Sequence, residues 1–557
     1  MGAPDRHHLL AFAVAGIWLA SNIAKPLTVD DAAYYMFARQ IAGSPADPYG
    51  FTIFWYQSPQ PAIEVLAPPV WLYWWAAGIR WLGNHEWAWK LWQFPFVYLF
   101  VASYAHLARR FAPGPLTGLL PVFLVLSPVF LPGLNLMLDV PAIALGLAAV
   151  VLFVRASDRG SIGGAVLAGL IAGIAMQTKY TGLLVPLVMI GYAALLGRLR
   201  LAMVAGGVAA AVFVSWEAAM IWGYGQSQFL AALVEPGGGA SRRWSTLPAL
   251  VTLAGGAGSA WGLLALAALG VRRRLVWGAM LAGAGAFVAV GWLPERTLVS
   301  LPEVLAAALG RPGVHLNPAL DLSRLLGVLV VGALGFVVAR VRRDGDRAGA
   351  FLLIWFAVEL TGYVLLNPFV AVRRIMGLAV ISTLLVGRLA SRTCQGLERQ
   401  HLIRAVTGYG IILAALFAVS DVADALAQRD GATRAANAAR AMRVRPDARL
   451  WYVGHWGFQF YAERAGMAPV VPGISLLRQG DMLVVPGPPV DVQRTRFPPS
   501  RVAPVAQVAS ADNVAWRALP GYYRGAVPLS GRGWGPRLGV TIYRVREDFV
   551  PEPEHAR

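Results

Sequence analysis

Cysteine is almost missing from this sequence. Cys394 stands alone, so neither an internal disulfide framework nor a metal-thiolate cluster can form. Charge is scarce as well. Only 14% of the 557 residues are charged against 57% hydrophobic, which leaves too little polar surface for a soluble protein of this length. Lysine is rarer still, occurring only at Lys25, Lys90 and Lys179, so arginine supplies nearly all of the basic charge behind a formal net charge of +19. No His-rich ligand spacing is present: His85, His315 and His455 are isolated, and His7-His8 sits in the N-terminal tail. There is no internal repeat beyond alternating hydrophobic spans.

What is present is a succession of apolar windows from residue 9 to about 419. At roughly 17–25 residues each can cross a hydrocarbon core about 30 Å thick, and because unpaired peptide groups are costly in lipid, such spans must be helices. The net charge does not signal nucleic acid. The arginines fall in small groups between spans, at 109–110, 155–159, 198–200, 272–274, 340–347 and 388–404, and short Arg-rich connections stay on the cytoplasmic side. Two spans between successive groups, 116–137 and 141–154 being the first two, give about thirteen in all, with the N-terminus inside. The first, 9–27, has no Ala-x-Ala site before the acidic pair that follows and reads as a retained helix rather than a cleaved signal. The stretch 68–82 would invert every later Arg group if it crossed. Its two prolines, four close aromatics and Arg80 fit a helix lying in the interface, which makes 28–88 one outer loop.

Beyond 424 the pattern turns to Pro, Arg, Asp and short apolar runs. The expected fold class is therefore mainly α: a polytopic membrane domain over 1–424 with about thirteen transmembrane helices, then a small soluble α/β domain over 425–557 outside the membrane. In that domain 450–453, 481–485 and 540–545 read as strands, and 458–465 as a helix ended by Gly466. Gly454-His-Trp-Gly457, between the first strand and the helix, reads either as a tight turn with a packed Trp or as a ligand-binding loop.

Ionisable residues at membrane borders are costly and usually have a task. Asp30 and Asp31 follow the first span in Thr28-Val-Asp-Asp-Ala-Ala-Tyr-Tyr35, and Asp139 interrupts an apolar run at Leu138-Asp-Val-Pro141. Lys179, in Gln177-Thr-Lys-Tyr-Thr-Gly182, and Arg373-Arg374, after Asn367-Pro-Phe-Val-Ala-Val372, sit at other outer borders hemmed in by apolar residues. Phosphate suits such cations, Arg through its planar fork and Lys as a compact point charge. Plainer readings also exist: the cations can snorkel to headgroups, and Asp139 and either member of the pair can cap helices. All of these sites fall on one face, and they suit chemistry between a hydroxyl and a phosphate-linked group at one face of a bilayer. A carboxylate takes the proton of the acceptor hydroxyl, with Asp30 the leading base and Asp31 its positioner or the reverse; Lys179, Arg373 and Arg374 stabilise charge on a leaving phosphate; Asp139 orients the acceptor or a cation.

This order of features, an aspartate pair after the first span, an interfacial Pro-Pro-aromatic helix, Ser127-Pro128 ahead of Leu138-Asp-Val-Pro141, Thr178-Lys-Tyr and a late Arg pair, resembles the GT-C glycosyltransferases over about residues 9–389. The nearest branch is the bacterial one related to protein O-mannosyltransferases, aminoarabinose transferases of lipid A and lipopolysaccharide-core galacturonosyltransferases. The resemblance implies a polyprenyl-phosphate sugar donor, a lipid, glycan or protein acceptor, and inverting transfer at the outer face of a bacterial cytoplasmic membrane. The family's Asp-Glu here reads Asp30-Asp31, its His-Pro-Pro reads Ala67-Pro68-Pro69, and Lys90 stands where many members carry the Arg that follows the interfacial helix, adding a fourth candidate for the lipid phosphate. No cofactor is required, although carboxylates gathered on one face can hold Mg²⁺ or Mn²⁺. The other class to weigh is a transporter or lipid flippase, which would show paired halves or broken helices.

Overall fold

The computed structural model describes all residues except 1–5, 56, 66, 235–239, 294–296, 301–312, 367–368, 489, 491–494, 511, 532–534 and 554–557. Among these, eight helices are long and apolar enough to cross a membrane: Asp139–Arg159, Leu199–Tyr224, Thr246–Ala268, Arg273–Trp292, Pro318–Asp344, Arg347–Leu366, Val372–Thr393 and Leu397–Ala441. Ile162–Met176 and Tyr180–Leu196 are apolar but shorter. The first helix is Arg6–Asn22, and Phe94–Phe111 packs against it. Close helix pairing relies on small residues, as it does where water offers no driving force between apolar surfaces. Thr246–Ala268 and Pro318–Asp344 meet through Gly255 and Gly327, each lying where a Cβ would run into a backbone carbonyl of the other helix, Ser323 and Val251 respectively.

The segment expected as an outer loop, 28–88, carries several short elements among its described residues. After the first helix come Asp31–Gly43, a two-stranded ribbon of Thr52–Ile53 and Gln60–Pro61, the interfacial helix Pro69–Leu82 and the short helix Glu86–Trp92. The interfacial helix buries Trp71 and Trp75 and leaves Trp81 exposed. Its aromatics divide between the protein interior and the surface, the pattern of an amphipathic helix.

The span expected over 116–137 is not one helix. A seven-residue helix, Leu119–Val125, gives way to irregular chain and a single 3-10 turn at Leu131–Gly133. Pro128 and Pro132 each lack an amide donor and obstruct the preceding turn, so the helix cannot continue. Irregular backbone at membrane depth survives only where protein satisfies it, and here side chains distant in sequence do so. Trp18 Nε1 donates to Phe130 O (3.0 Å), Asn22 Nδ2 to Leu131 O (2.8 Å) and Lys25 Nζ to Pro132 O (3.0 Å). Trp71 Nε1 donates to Leu136 O (2.7 Å) and Tyr522 OH to Val129 O (2.5 Å). The helix that follows starts at Asp139 and runs to Arg159, longer than the expected 141–154.

Leu397–Ala441 is 45 residues long, about 67 Å at 1.5 Å per residue, or twice the hydrocarbon core. It leaves the apolar layer and continues into the C-terminal domain, so the division expected at 424/425 falls inside one helix. Its far half packs on a five-stranded sheet with the order Ala468–Pro469, Leu450–Tyr452, Met482–Pro486, Leu538–Val545, Val502–Ser510. The first three strands are parallel and the last two join antiparallel. Three of these strands and the helix Trp456–Arg464 lie at or within two residues of their expected positions. The strand Val502–Ser510 was not expected; its Ala, Pro and Gln residues carry little strand signal. The Gly454–Gly457 turn packs its buried His455 ring against Phe54 and Trp55 of the outer loop, and Gly457 lies against the Leu27 carbonyl. It is a docking contact between the two domains.

Candidate active site

A turn delivers the acidic pair. The Asp31 amide donates to Thr28 O (3.1 Å) and the Thr28 amide to Asp31 Oδ2 (3.1 Å), while Val29 between them takes φ 47°, a left-handed conformation that a β-branched residue rarely adopts. The turn sends the two carboxylates different ways. Asp30 occupies the N-cap of Asp31–Gly43 without capping it; its carboxylate instead meets Arg373 Nη1 at 2.5 Å. Asp31 is fully buried and faces Lys90 and Lys25 rather than Arg373.

Asp139 opens its helix, also without capping it. It is ion-paired with Lys179 and lies 3.9 Å from Arg373. Lys179 is held by the turn between two apolar helices, where its amide bonds to Ala175 O and Gly182 packs against the same peptide too closely for any side chain. Burial pulls the Lys179 ammonium down to about 8, Asp139 opposes that, and the charge of Arg374 adds to it. Arg373 and Arg374 ride a 3-10 turn, Val372–Ile375, ahead of Met376–Thr393. Phe369 lies 5.4 Å from the Arg373 guanidinium and 4.5 Å from that of Arg374; Asn367 and Pro368, just before it, lie outside the described residues. The structure thus brings together Asp30, Asp139, Lys179, Arg373 and Arg374, which were 30 to 374 along the chain. Among the described residues Arg374 has no carboxylate within ion-pair reach, so three cations against two carboxylates leave one positive charge uncompensated. Tyr34, one turn beyond Asp30, stands among these charges; burial and then the Asp30 carboxylate push its phenol up.

Lys90 is not in this group. Its buried ammonium donates to Asn22 O (2.9 Å) and to Lys25 O, closing the chain just after the first helix. The short helix Glu86–Trp92 turns Lys90 inward although the sequence places it at an outer border. Burial raises the Asp31 carboxyl to about 7 and lowers the Lys90 ammonium to about 7, each partly offset by the other's charge. A second buried network adjoins them, in which Lys25 pairs with Asp421 and donates to Tyr523 OH (2.8 Å). Sequence reasoning missed Asp421 and Tyr523. Asp421 and Asp424 in the apolar run near Val419 were a readable signal, whereas nothing in sequence marks Tyr523.

From the charged cluster a groove runs between Asp139–Arg159, Leu184–Leu196, Arg347–Leu366 and Met376–Thr393. Asp139, Lys179, Arg373 and Arg374 form its polar end, and Leu147, Val150, Val188 and Val380 are among its apolar walls. Such a site can hold an anionic head and an apolar chain together. A metal at Asp30 or Asp139 would have to displace the cations already paired with them.

Residues 67–222 match a family model described as dolichyl-phosphate-mannose-protein mannosyltransferase. Over that stretch, less than a third of the chain, the sequence resembles this family. The matched stretch holds the helix Pro69–Leu82, Asp139 and Lys179. Comparison with curated proteins found no significant match. Among solved structures the chain is similar to ArnT from Cupriavidus metallidurans bound to undecaprenyl phosphate, at 16% identity and a TM-score of 0.44, covering 87% of this chain and 93% of that one. It is similar to the Archaeoglobus fulgidus oligosaccharyltransferase tethered with an acceptor peptide, at 12% identity and a TM-score of 0.49, covering 84% of this chain. It is also similar to archaeal AglB from Archaeoglobus fulgidus with an inhibitory peptide and a dolichol-phosphate, at 11% identity and a TM-score of 0.44, covering 83% of this chain. The match spans 64% of each of those two archaeal chains.

Proposed function

We propose that this protein transfers a hexosyl or pentosyl unit from a polyprenyl-phosphate carrier to a hydroxyl of a lipid, glycan or protein acceptor, at the outer face of a bacterial cytoplasmic membrane. One observation carries the reading: an apolar groove between membrane helices ends at Lys179, Arg373 and Arg374 with Asp30 beside them. The family-model match over 67–222 supports it. The donor would lie with its chain in the groove and its phosphate on the cations. As the acceptor oxygen bonds to C1 of the sugar, the C1–O bond to phosphate breaks, and a single displacement inverts the anomeric centre. Charge gathers on the departing phosphate, where fixed cations in a water-poor site stabilise it most. The acceptor proton passes to Asp30. An incoming phosphate competes for Arg373, and in drawing it off releases the Asp30 carboxylate to act as base. Asp139 keeps Lys179 in place. The cations take the part a metal would play, so chelation should leave the rate unchanged.

The test is transfer of labelled sugar from a polyprenyl phosphate by purified full-length protein in liposomes, with and without EDTA. Asp30→Asn should lower the rate roughly 10²- to 10⁴-fold. Full activity in that variant removes Asp30 as the base, and labelled donor that is only moved across the bilayer would overturn the transferase reading.

A further inference from the structure

The C-terminal domain reaches the charged cluster through one short helix, Leu519–Arg524, whose start is held by Asp424: Asp424 Oδ2 accepts the amides of Ala518 and Leu519, both at 3.0 Å. Two tyrosines project from it into the membrane domain. Tyr522 donates to Val129 O and fills the space over Gly133. Tyr523 is buried, and its hydroxyl accepts from Lys25 Nζ (2.8 Å) and Asn135 Nδ2 (2.7 Å) and faces Asp421 Oδ2 at 3.3 Å. The Tyr523 ring centroid lies 5.9 Å from the Arg373 guanidinium. One side chain therefore touches the end of the first span, the irregular chain four residues ahead of Asp139, the long helix through Asp421, and the cation that bridges Asp30 and Asp139. Asn135 depends on it most, since among the described residues its Oδ1 has no partner and its amide nitrogen donates only to Tyr523.

We propose that Tyr523 is a positioning residue for the donor-phosphate site, by which the C-terminal domain sets Arg373 and the approach to Asp139. This rests on the transferase reading above. Without the hydroxyl, Lys25 keeps Asp421 and Pro132 O, so the buried ion pair survives, while Asn135 is released and residues 129–139 gain freedom. Arg373 then holds phosphate in a less defined geometry. The loss belongs to the donor and not to the acceptor.

The experiment compares full-length wild type with Tyr523→Phe and Tyr523→Ala in lipid nanodiscs. It measures the Kd for a polyprenyl phosphate, donor and acceptor KM, melting temperature, and hydrogen exchange across 129–139. Tyr523→Phe should melt close to wild type, exchange faster across 129–139 than wild type, and bind polyprenyl phosphate about 3- to 10-fold more weakly, the effect of one hydrogen bond. Donor KM should rise in step and acceptor KM should stay. Tyr523→Ala, which also loses the ring beside Arg373, should weaken binding further. Unchanged Kd and exchange in both variants would overturn the proposal, as would equal loss for donor and acceptor accompanied by a lowered melting temperature. A wild type that binds polyprenyl phosphate but transfers no sugar sinks the transferase reading alone, because Kd and exchange still decide the part played by Tyr523.

Discussion

Three lysines in a chain so rich in arginine invite one explanation, yet each has a different task. Lys179 faces the groove and pairs with Asp139, whereas Lys90 closes two backbone carbonyls and Lys25 joins a buried ion pair. Their pH behaviour should separate them. With its ammonium near 8, Lys179 loses charge as pH rises past that value, so affinity for polyprenyl phosphate should fall between about pH 7 and 9; a flat binding profile by calorimetry would contradict this. Asp31 and Lys90 act on stability instead. A carboxyl raised from 3.8 to about 7 holds a proton in the folded state that the unfolded chain has shed, so its contribution declines as pH rises from about 4 to 7. An ammonium lowered from 10.5 to about 7 reverses the sign, and its contribution grows from about 7 to 10. The pair should therefore contribute least near neutral pH. Lys90→Met should abolish the alkaline rise and cost about 1–3 kcal/mol by leaving Asn22 O and Lys25 O unpaired, with donor Kd little changed. Thermal melts across pH would check both parts.

At the scale of elements, two departures from regularity position the site. The first is the broken segment after Leu119–Val125, which keeps its carbonyls satisfied by Trp18, Asn22, Lys25, Trp71 and Tyr522. Hydropathy alone predicts a helix there, because an apolar run looks the same whether its amides bond within the helix or to distant side chains; only the prolines hinted otherwise. The second is the close approach of Thr246–Ala268 and Pro318–Asp344 at Gly255 and Gly327. Gly327→Val would push a branched side chain into the Val251 carbonyl, and overpacking of this kind costs at least ~1–3 kcal/mol. A melting temperature in detergent equal to wild type would show that these helices are not fixed at that spacing. The interfacial helix was legible because its prolines and aromatics are a local signal, as was the sheet of the C-terminal domain except for its two edge strands, Ala468–Pro469 and Val502–Ser510.

For the whole molecule, the long helix Leu397–Ala441 makes membrane and C-terminal domains one body, and Arg537 locks them. Its guanidinium, fully buried, meets Asp424 at 2.5 Å and Asp512 at 2.6 Å. Removing one partner of such a pair strands the other charge, so Arg537→Ala should cost ~3–5 kcal/mol. It should also speed proteolysis within 511–537, with the membrane helices left intact on a gel; cleavage no faster than in wild type would show that the lock lies elsewhere. Composition alone determined that the chain is a helical membrane protein with a smaller mixed domain after it, because hydropathy and its period are local properties that no tertiary contact can reverse. The border carboxylates and cations were legible for the same reason, since a charge beside lipid is costly wherever the chain goes next. Which of them meet was decided only in three dimensions: Asp30 with Arg373, Asp139 with Lys179, and Lys90 apart from both. That choice depends on how helices hundreds of residues apart pack around a broken span, a relation that no single stretch of sequence contains.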